Sequence, residues 1–294
     1  DERLPRLART YAAFIHHAWN EAAGTYRNFM GYDRRWLEAE GSEDSIGRGF
    51  WAVATAAGAR LPADVTQWAR WQTRRALPRA ARLGAPRARA FALLGLSALI
   101  AGGGGDEAVV AAARAHADAL AALLPAGGAE WRWFEDGLSY DNARLAEALI
   151  RAGLALSAPG YGDAGLAALD WLCRVQTGRD GVFRPAGSDG FGRRREMPLP
   201  FDQQPLEAAA TVDACVAGFA ASGAWQWVVE ARRAYDWFLG ANDHDLAVAI
   251  PSEGDCHDGL TPDGLNLKRG AESVLAFVRA TCAMHGLRHV ERPA

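Results

Sequence analysis

The sequence predicts an all-α chain arranged as a toroid of helical hairpins, and three observations carry that prediction. Good helix formers (Ala, Leu, Arg, Glu) fill long segments at helical spacing, while β-branched alternation is scarce. The connections alternate in length. Those at 58–63, 157–161 and 222–224 are tight, and those before 43, 139, 204 and 270 are long and rich in acids and aromatics. Acidic residues gather where the helices after those long loops begin.

Taken in order, the periodicity places helices at 2–20, 43–58, 63–82, 86–102, 105–124, 139–157, 161–177, 204–222, 224–240 and 270–285. Gly58, Pro62, Gly84-Ala85-Pro86, the run Gly102 to Gly105, and Gly240 punctuate them. Inner helices are expected to start near 43, 86, 139, 204 and 270, with the others returning outside them. That makes about five hairpins, one inner helix short of a closed six-hairpin ring. The length of 294 residues, half of them apolar, suits one domain spanning 1–294.

Composition excludes several classes. The formal charge is −3, and no basic stripe of the nucleic-acid type is present. The arginines from Arg70 to Arg82 are interleaved with Ala, Leu and Trp and read as a solvated face. Cys173, Cys215, Cys256 and Cys282 lack C-x-x-C spacing, which favours free thiols in a reducing compartment. The chain opens Asp1-Glu2-Arg3-Leu4-Pro5 without a signal-peptide pattern, and Ala90 to Ala101 is too short to span a bilayer. A cytoplasmic location without a membrane span is therefore expected. There is no G-x-G-x-x-G, P-loop or G-x-S-x-G, and Cys256-His257 lacks zinc spacing, so no cofactor and no metal is implied.

Four helix starts carry the chemistry. Ser42 caps the first, with Glu43 and Asp44 in the turn where the dipole favours acids. Gly47 and Gly49 in the same helix suggest close approach by another group. The loop before it brings Arg35 and Trp36, suited to a sugar or to the rim of a core. At the second, Trp131, Trp133 and Phe134 precede Glu135 and Asp136. Crowding by aromatics would raise a carboxyl's pKa, which suits Asp136 as a general acid; the alternative is a tryptophan core with solvated acids. Asp141 follows at the helix start. At the third, Pro205 fits the first helical position and holds Gln204 extended, so Asp202, Gln203 and Gln204 line the helix mouth. Glu207 is either part of that mouth or a cap of its own helix. Glu272 stands at the fourth. If the inner helices run parallel, these acids share one cleft, with Trp36 and Trp133 on its walls.

Several segments together resemble a bacterial group of six-hairpin (α/α)-barrel proteins. They are Asn28-Phe29-Met30 with Tyr32 to Leu37, Gly41 to Ser45, Trp133 to Asp136 with Tyr140 to Leu145, Phe201 to Pro205, and Gly270 to Ser273. The resemblance covers most of the chain and implies the six-hairpin glycosidase fold. It also implies a neighbourhood of glycosyltransferases, hence a possible association with one. One further upstream segment of that group, similar to Asp141-Asn142-Ala143-Arg144, has no counterpart here. It matches the inner helix missing from the count.

The residues and the resemblance together point to a glycoside hydrolase acting on a bacterial oligo- or polysaccharide through paired carboxylates. Asp136 is the expected acid and Asp44 or Asp202 the expected base or nucleophile. Asp141, Gln203, Gln204, Glu272, Glu43, Glu135 and Arg35 would hold the substrate, with Trp36 and Trp133 stacking on its rings. A non-catalytic carbohydrate-binding or scaffold protein beside a glycosyltransferase would use the same groups. A sugar epimerase or lyase is a third reading, disfavoured because no His stands at the four mouths except His257 nearby.

Overall fold

The computed structural model describes residues 3–125 and 130–287. Glu2, at the expected start of the first helix, lies outside the described residues. Ten α-helices are present among them, in the predicted order, with boundaries mostly within two or three residues of expectation. They are α1 (Arg3–Ala18), α2 (Glu43–Gly58), α3 (Ala63–Ala80), α4 (Pro86–Ala101), α5 (Glu107–Ala121), α6 (Ala143–Ala155), α7 (Pro159–Val175), α8 (Pro205–Ser222), α9 (Gln226–Asp236) and α10 (Ala271–Leu287). No sixth helix of the expected inner kind is present among the described residues. Six strands of two or three residues pair only into antiparallel hairpins: β1 (Trp19–Asn20) with β2 (Thr25–Tyr26), β3 (Ala249–Ile250) with β4 (Asp255–Cys256), and β5 (Gly259–Thr261) with β6 (Gly264–Asn266). No described helix is long and apolar enough to cross a membrane.

The chain forms two compact units, residues 1–122 with 151–162, and residues 123–150 with 163–294. In the first, α2 packs on α3 and α4, and α4 packs on α5. The α4 sequence is apolar on every side, and accordingly Ala88, Ala90 to Leu94, Leu96 and Leu99 are all buried. Ser42 caps α2 by accepting from the Ser45 N–H at 3.2 Å, and Asp106 caps α5 by accepting from Val109 at 3.0 Å. The α1 helix sits on α3 but keeps an apolar stripe open, with Leu4, Leu7, Tyr11 and Phe14 between 46% and 65% exposed.

Helix-to-helix contact explains the two glycines of α2. A Cβ at Gly47 would lie 2.8 Å from the Ala88 carbonyl oxygen of α4, and one at Gly49 would lie 3.1 Å from the Tyr26 ring. These glycines serve close packing, and the approach expected of another molecule is taken up by the protein itself.

In the second unit α8 is the central helix, packed on α9 and α10. Pro205 opens it at the first helical position behind an extended Gln204 (φ −117°, ψ 140°), and Gly223 closes it in the left-handed region (φ 66°). Trp237, Phe238 and Phe277 pack beside it in the core. The β5–β6 hairpin joins the segment before α8, because Gln203 and Leu260 exchange both backbone hydrogen bonds, at 2.9 and 3.0 Å.

The close approach at Gly47 sets a test. Gly47→Ala should lower unfolding free energy by about 1–3 kcal/mol through overpacking. Gly162→Ala, in α7 with no atom within 4 Å of the added methyl, should raise it by about 0.5–1 kcal/mol. Urea unfolding of both variants checks this; equal effects would show that packing against Ala88 is not what selects glycine at position 47.

Candidate functional site

The site-bearing region of the second unit is built on two helix starts, those of α6 and α8. The predicted start at Ser139 is displaced by four residues to Ala143. The cause is a folded turn rather than a Ser cap. Asp141 takes a left-handed conformation (φ 52°), and the Asn142 side chain bonds the Ser139 backbone N–H at 3.0 Å and its carbonyl. The Glu207 carboxylate, from the first turn of α8, then holds this turn. It accepts from the backbone N–H groups of Asp141 and Asn142 and from Asn142 Nδ2 at 2.9 Å. Burial first, and the Asp141 charge second, push the Glu207 carboxyl up to about 7, against the pull of those hydrogen bonds.

Below the turn lies Arg144, fully buried. Its guanidinium donates to Asp141 at 3.2 Å, Glu147 at 2.6 Å and Asp213 at 2.8 Å, and Arg279 also reaches Asp213. Burial alone would lower the Arg144 pKa, but the three carboxylates outweigh it and hold the group raised. Asp141 is thus a buried partner of Arg144 with no exposed surface, which removes it from contact with a substrate.

At the mouth of α8, Asp202 is half-buried, and its Oδ1 atom is buried without a partner. Desolvation, then the nearby Asp189 charge, raise its pKa. Asp202 was expected as a base or nucleophile; partial burial and a like charge raise its pKa, the direction that suits an acid instead. Gln203 next to it is fully buried and engaged. Its Nε2 donates to Pro200 O at 2.8 Å and to Asp243 at 2.6 Å, and its Oε1 accepts from Trp237 Nε1 at 2.8 Å. Both amide hydrogens are used, so Gln203 anchors the segment rather than holding a sugar. Gln204 is half-buried and makes no side-chain cap.

Asp136 is exposed, with ion pairs to Arg194 at 3.2 Å and Arg195 at 2.9 Å. The aromatics before it do not enclose it. Trp133 and Phe134 point into the core, where Trp133 is only 2% exposed and offers no open face to a sugar. Glu135 is half-buried. The loop 187–202 links Asp136 to Asp202: Gly192 N–H bonds Leu138 O, Arg195 N–H bonds Asp136 O, and Ser188 N–H bonds Asp202 O. Glu272 is exposed on α10. The anchor of that helix start is Asp258, which accepts from Gly270 N–H at 2.6 Å and Ser273 Oγ at 2.7 Å.

In the first unit, Glu43 accepts from the Gly84 and Ala85 N–H groups at 2.9 and 2.7 Å and so caps α4 from a distance. The Ala85 hydrogen bond, above all, lowers its pKa. Asp44 is half-buried and pairs with Arg48 at 3.0 Å. Arg35 is exposed, with Asp33 3.6 Å away. Trp36 is half-exposed between Phe14, His17 and Arg27.

Sequence reasoning gave no role to Asp189, Asp243 and Asp258, which sit in loops with no periodic signal, and left Glu207 between the α8 mouth and a cap of its own helix. The signal for Glu207 was present: an acid at the third position of an otherwise apolar helix. Among the described residues no group of three His, Cys, Asp or Glu is placed to hold a metal ion.

No protein-family model matches the chain, and no curated protein sequence does. Solved structures do. A family 76 glycoside hydrolase (mannosidase) from Bacteroides thetaiotaomicron superposes with a TM-score of 0.66 at 11% identity, over 97% of this chain and 82% of that one. A family 76 α-mannanase from the same species superposes with a TM-score of 0.54 at 15% identity, over 95% and 84%. The likeness establishes the fold: this chain shares the (α/α)-barrel architecture of those enzymes.

The buried network yields two expectations. Arg144→Met would leave three carboxylates without their shared counter-ion and should lower stability by about 3–5 kcal/mol. Glu207 gives a pH signature. Its folded pKa, about 7, stands above the usual 4.5, so the folded state binds the proton more tightly. That contribution to stability is complete below the unfolded value and is lost as pH rises through the folded one. The stability of the native sequence minus that of Glu207→Gln should therefore fall between pH 5 and pH 8. A flat or rising difference in chemical denaturation would remove Glu207 as the titrating group.

Proposed function

We propose that this chain is a single (α/α)-barrel domain, a glycoside-hydrolase-like protein acting on a carbohydrate, with Asp202 as its proton donor. The observation that carries the reading is the Asp202 carboxyl: half-buried at a helix mouth, with one buried oxygen that has no hydrogen-bond partner, and with its pKa raised by burial and by Asp189. A raised pKa and an unengaged oxygen suit a general acid. The expected roles of Asp136 and Asp202 thereby change places, and Asp136 becomes the candidate second carboxylate, held on the same loop by its arginines. In the same unit Glu135, Gln204 and Glu272 keep open surface and are the candidates for contacts with sugar; in the first unit, Asp44, Arg35 and Trp36 keep open surface of their own. The similar solved structures are a mannosidase and an α-mannanase, so α-mannosidic chains come first among the substrates to try.

The test is release of reducing ends from α-mannans, α-glucans and β-glucans. On a substrate that is cleaved, Asp202→Asn should lower kcat by at least about 100-fold, the usual scale of general acid catalysis, with a much smaller change in KM. The rate should fall as pH rises through the elevated Asp202 pKa, because the donor must hold its proton. Near-normal turnover by Asp202→Asn would remove it from the mechanism. Tight glycan binding without cleavage of any glycan would establish instead a carbohydrate-binding protein, a role compatible with association with a glycosyltransferase.

A further inference from the structure

The second unit also holds a cavity of about 500 Å³ lined in part by Trp131. Trp171, Val175 and Met197 supply further apolar surface, and Glu130 and Arg195 supply charge. Its size is within the range of small-molecule sites, and so is its chemistry, an apolar surface with a few polar groups. Trp133 was expected on the wall of a cleft, with a tryptophan core of both rings as the alternative; the structure buries Trp133 and leaves Trp131 part exposed. Trp133 stacks on Trp171 at 5.8 Å and is sealed, while Trp171 meets Trp131 edge-on at 4.9 Å, and Trp131 stays half-exposed at the end of this row.

Both rings at the cavity are fixed. Trp131 Nε1 donates to Glu135 O at 2.6 Å, and Trp171 Nε1 donates to Glu130 O at 3.1 Å. Their polar hydrogens are spent on the protein, so what they offer a ligand is carbon surface held in one orientation. A rigid aromatic wall loses little entropy when something settles on it. The C–H face of a pyranose ring suits such a wall, and its outward hydroxyls suit a carboxylate and a guanidinium at the rim. Met197, 63% exposed, extends the apolar surface outward.

We infer that the Trp131 cavity is a sugar-binding subsite distinct from Asp202 and bordered on one side by Arg195, the partner of Asp136, where it holds a further sugar of a polysaccharide. The inference rests on the proposed carbohydrate function. It predicts dependence on chain length: a polymer gains from Trp131, whereas a single-sugar substrate does not.

The experiment uses the full chain and two probes, soluble α-mannan for binding by affinity electrophoresis and an aryl α-mannoside for turnover. Trp131→Ala removes the wall, and Met197→Arg blocks the cavity from an exposed position that the core does not need. Each should weaken α-mannan binding by about tenfold or more, the scale of a buried aromatic anchor. Trp131→Phe should retain most of the affinity, and KM for the aryl mannoside, which is too short to reach the cavity, should stay at the native level in all three. If Met197→Arg and a folded Trp131→Ala bind α-mannan as the native protein does, the subsite is refuted, while loss of turnover in Asp202→Asn leaves the catalytic reading standing. If the native protein neither binds nor cleaves α-mannan or any other glycan, both readings fall together.

Discussion

A single carboxylate, Glu207, decides where α6 begins. Three donors of the 141–142 turn, two backbone and one side-chain, converge on it from a segment more than sixty residues away. Backbone N–H groups at a helix start have no partner within the helix, and buried ones must find one. Here the partner comes from the first turn of another helix, so the two starts are locked side by side. The left-handed Asp141, a conformation disfavoured for any residue with a Cβ, persists because this carboxylate and Arg144 hold it from two directions.

The same constraint organises charge. A buried carboxylate needs a counter-ion or a proton, and this unit uses both solutions. Arg144 serves Asp141, Glu147 and Asp213, while Glu207, which has only neutral donors around it and Asp141 nearby, turns to the proton. Asp202 stands at the outer edge of this arrangement. It is neither buried among donors like Glu207 nor paired with an arginine like Asp243, which Arg184 holds from one side. Its buried oxygen has no partner, whereas Glu207, Asp243 and the acids around Arg144 do, and exceptions to polar satisfaction are where chemistry is to be sought.

Much of the fold was legible because it rests on local signals. Apolar periodicity located all ten helices, and Ser42, Pro205 and Gly223 acted at their helix ends as local stereochemistry requires. The start of α6 was the exception. Ser139 has the residue type of a cap, but the Asn142 side chain and Glu207 impose a turn there, and a residue far along the chain leaves no local trace. The alternation of tight and decorated connections also pointed to the hairpin architecture that the mannosidase and α-mannanase structures share.

The site was less legible, and the segment from Trp131 to Asp136 shows why. The argument for Asp136 as an acid assumed that neighbours in sequence are neighbours in space. The chain there is irregular, and successive side chains leave it in different directions: Trp131 to a cavity, Arg132 outward, Trp133 and Phe134 into the core, Asp136 outward to Arg194 and Arg195. The aromatics therefore desolvate one another and not the acid. Asp202 was read from the same kind of local rule, the helix dipole, whose effect is typically about 0.3–1 kcal/mol at exposed sites. Burial of a carboxyl works against the charged form and can shift a pKa by several units, so once Asp202 is partly enclosed beside Asp189 the larger effect decides. Whether a carboxyl's pKa rises is set by enclosure, and the enclosure of Asp202 is made by segments such as 187–190 that the sequence around it does not contain.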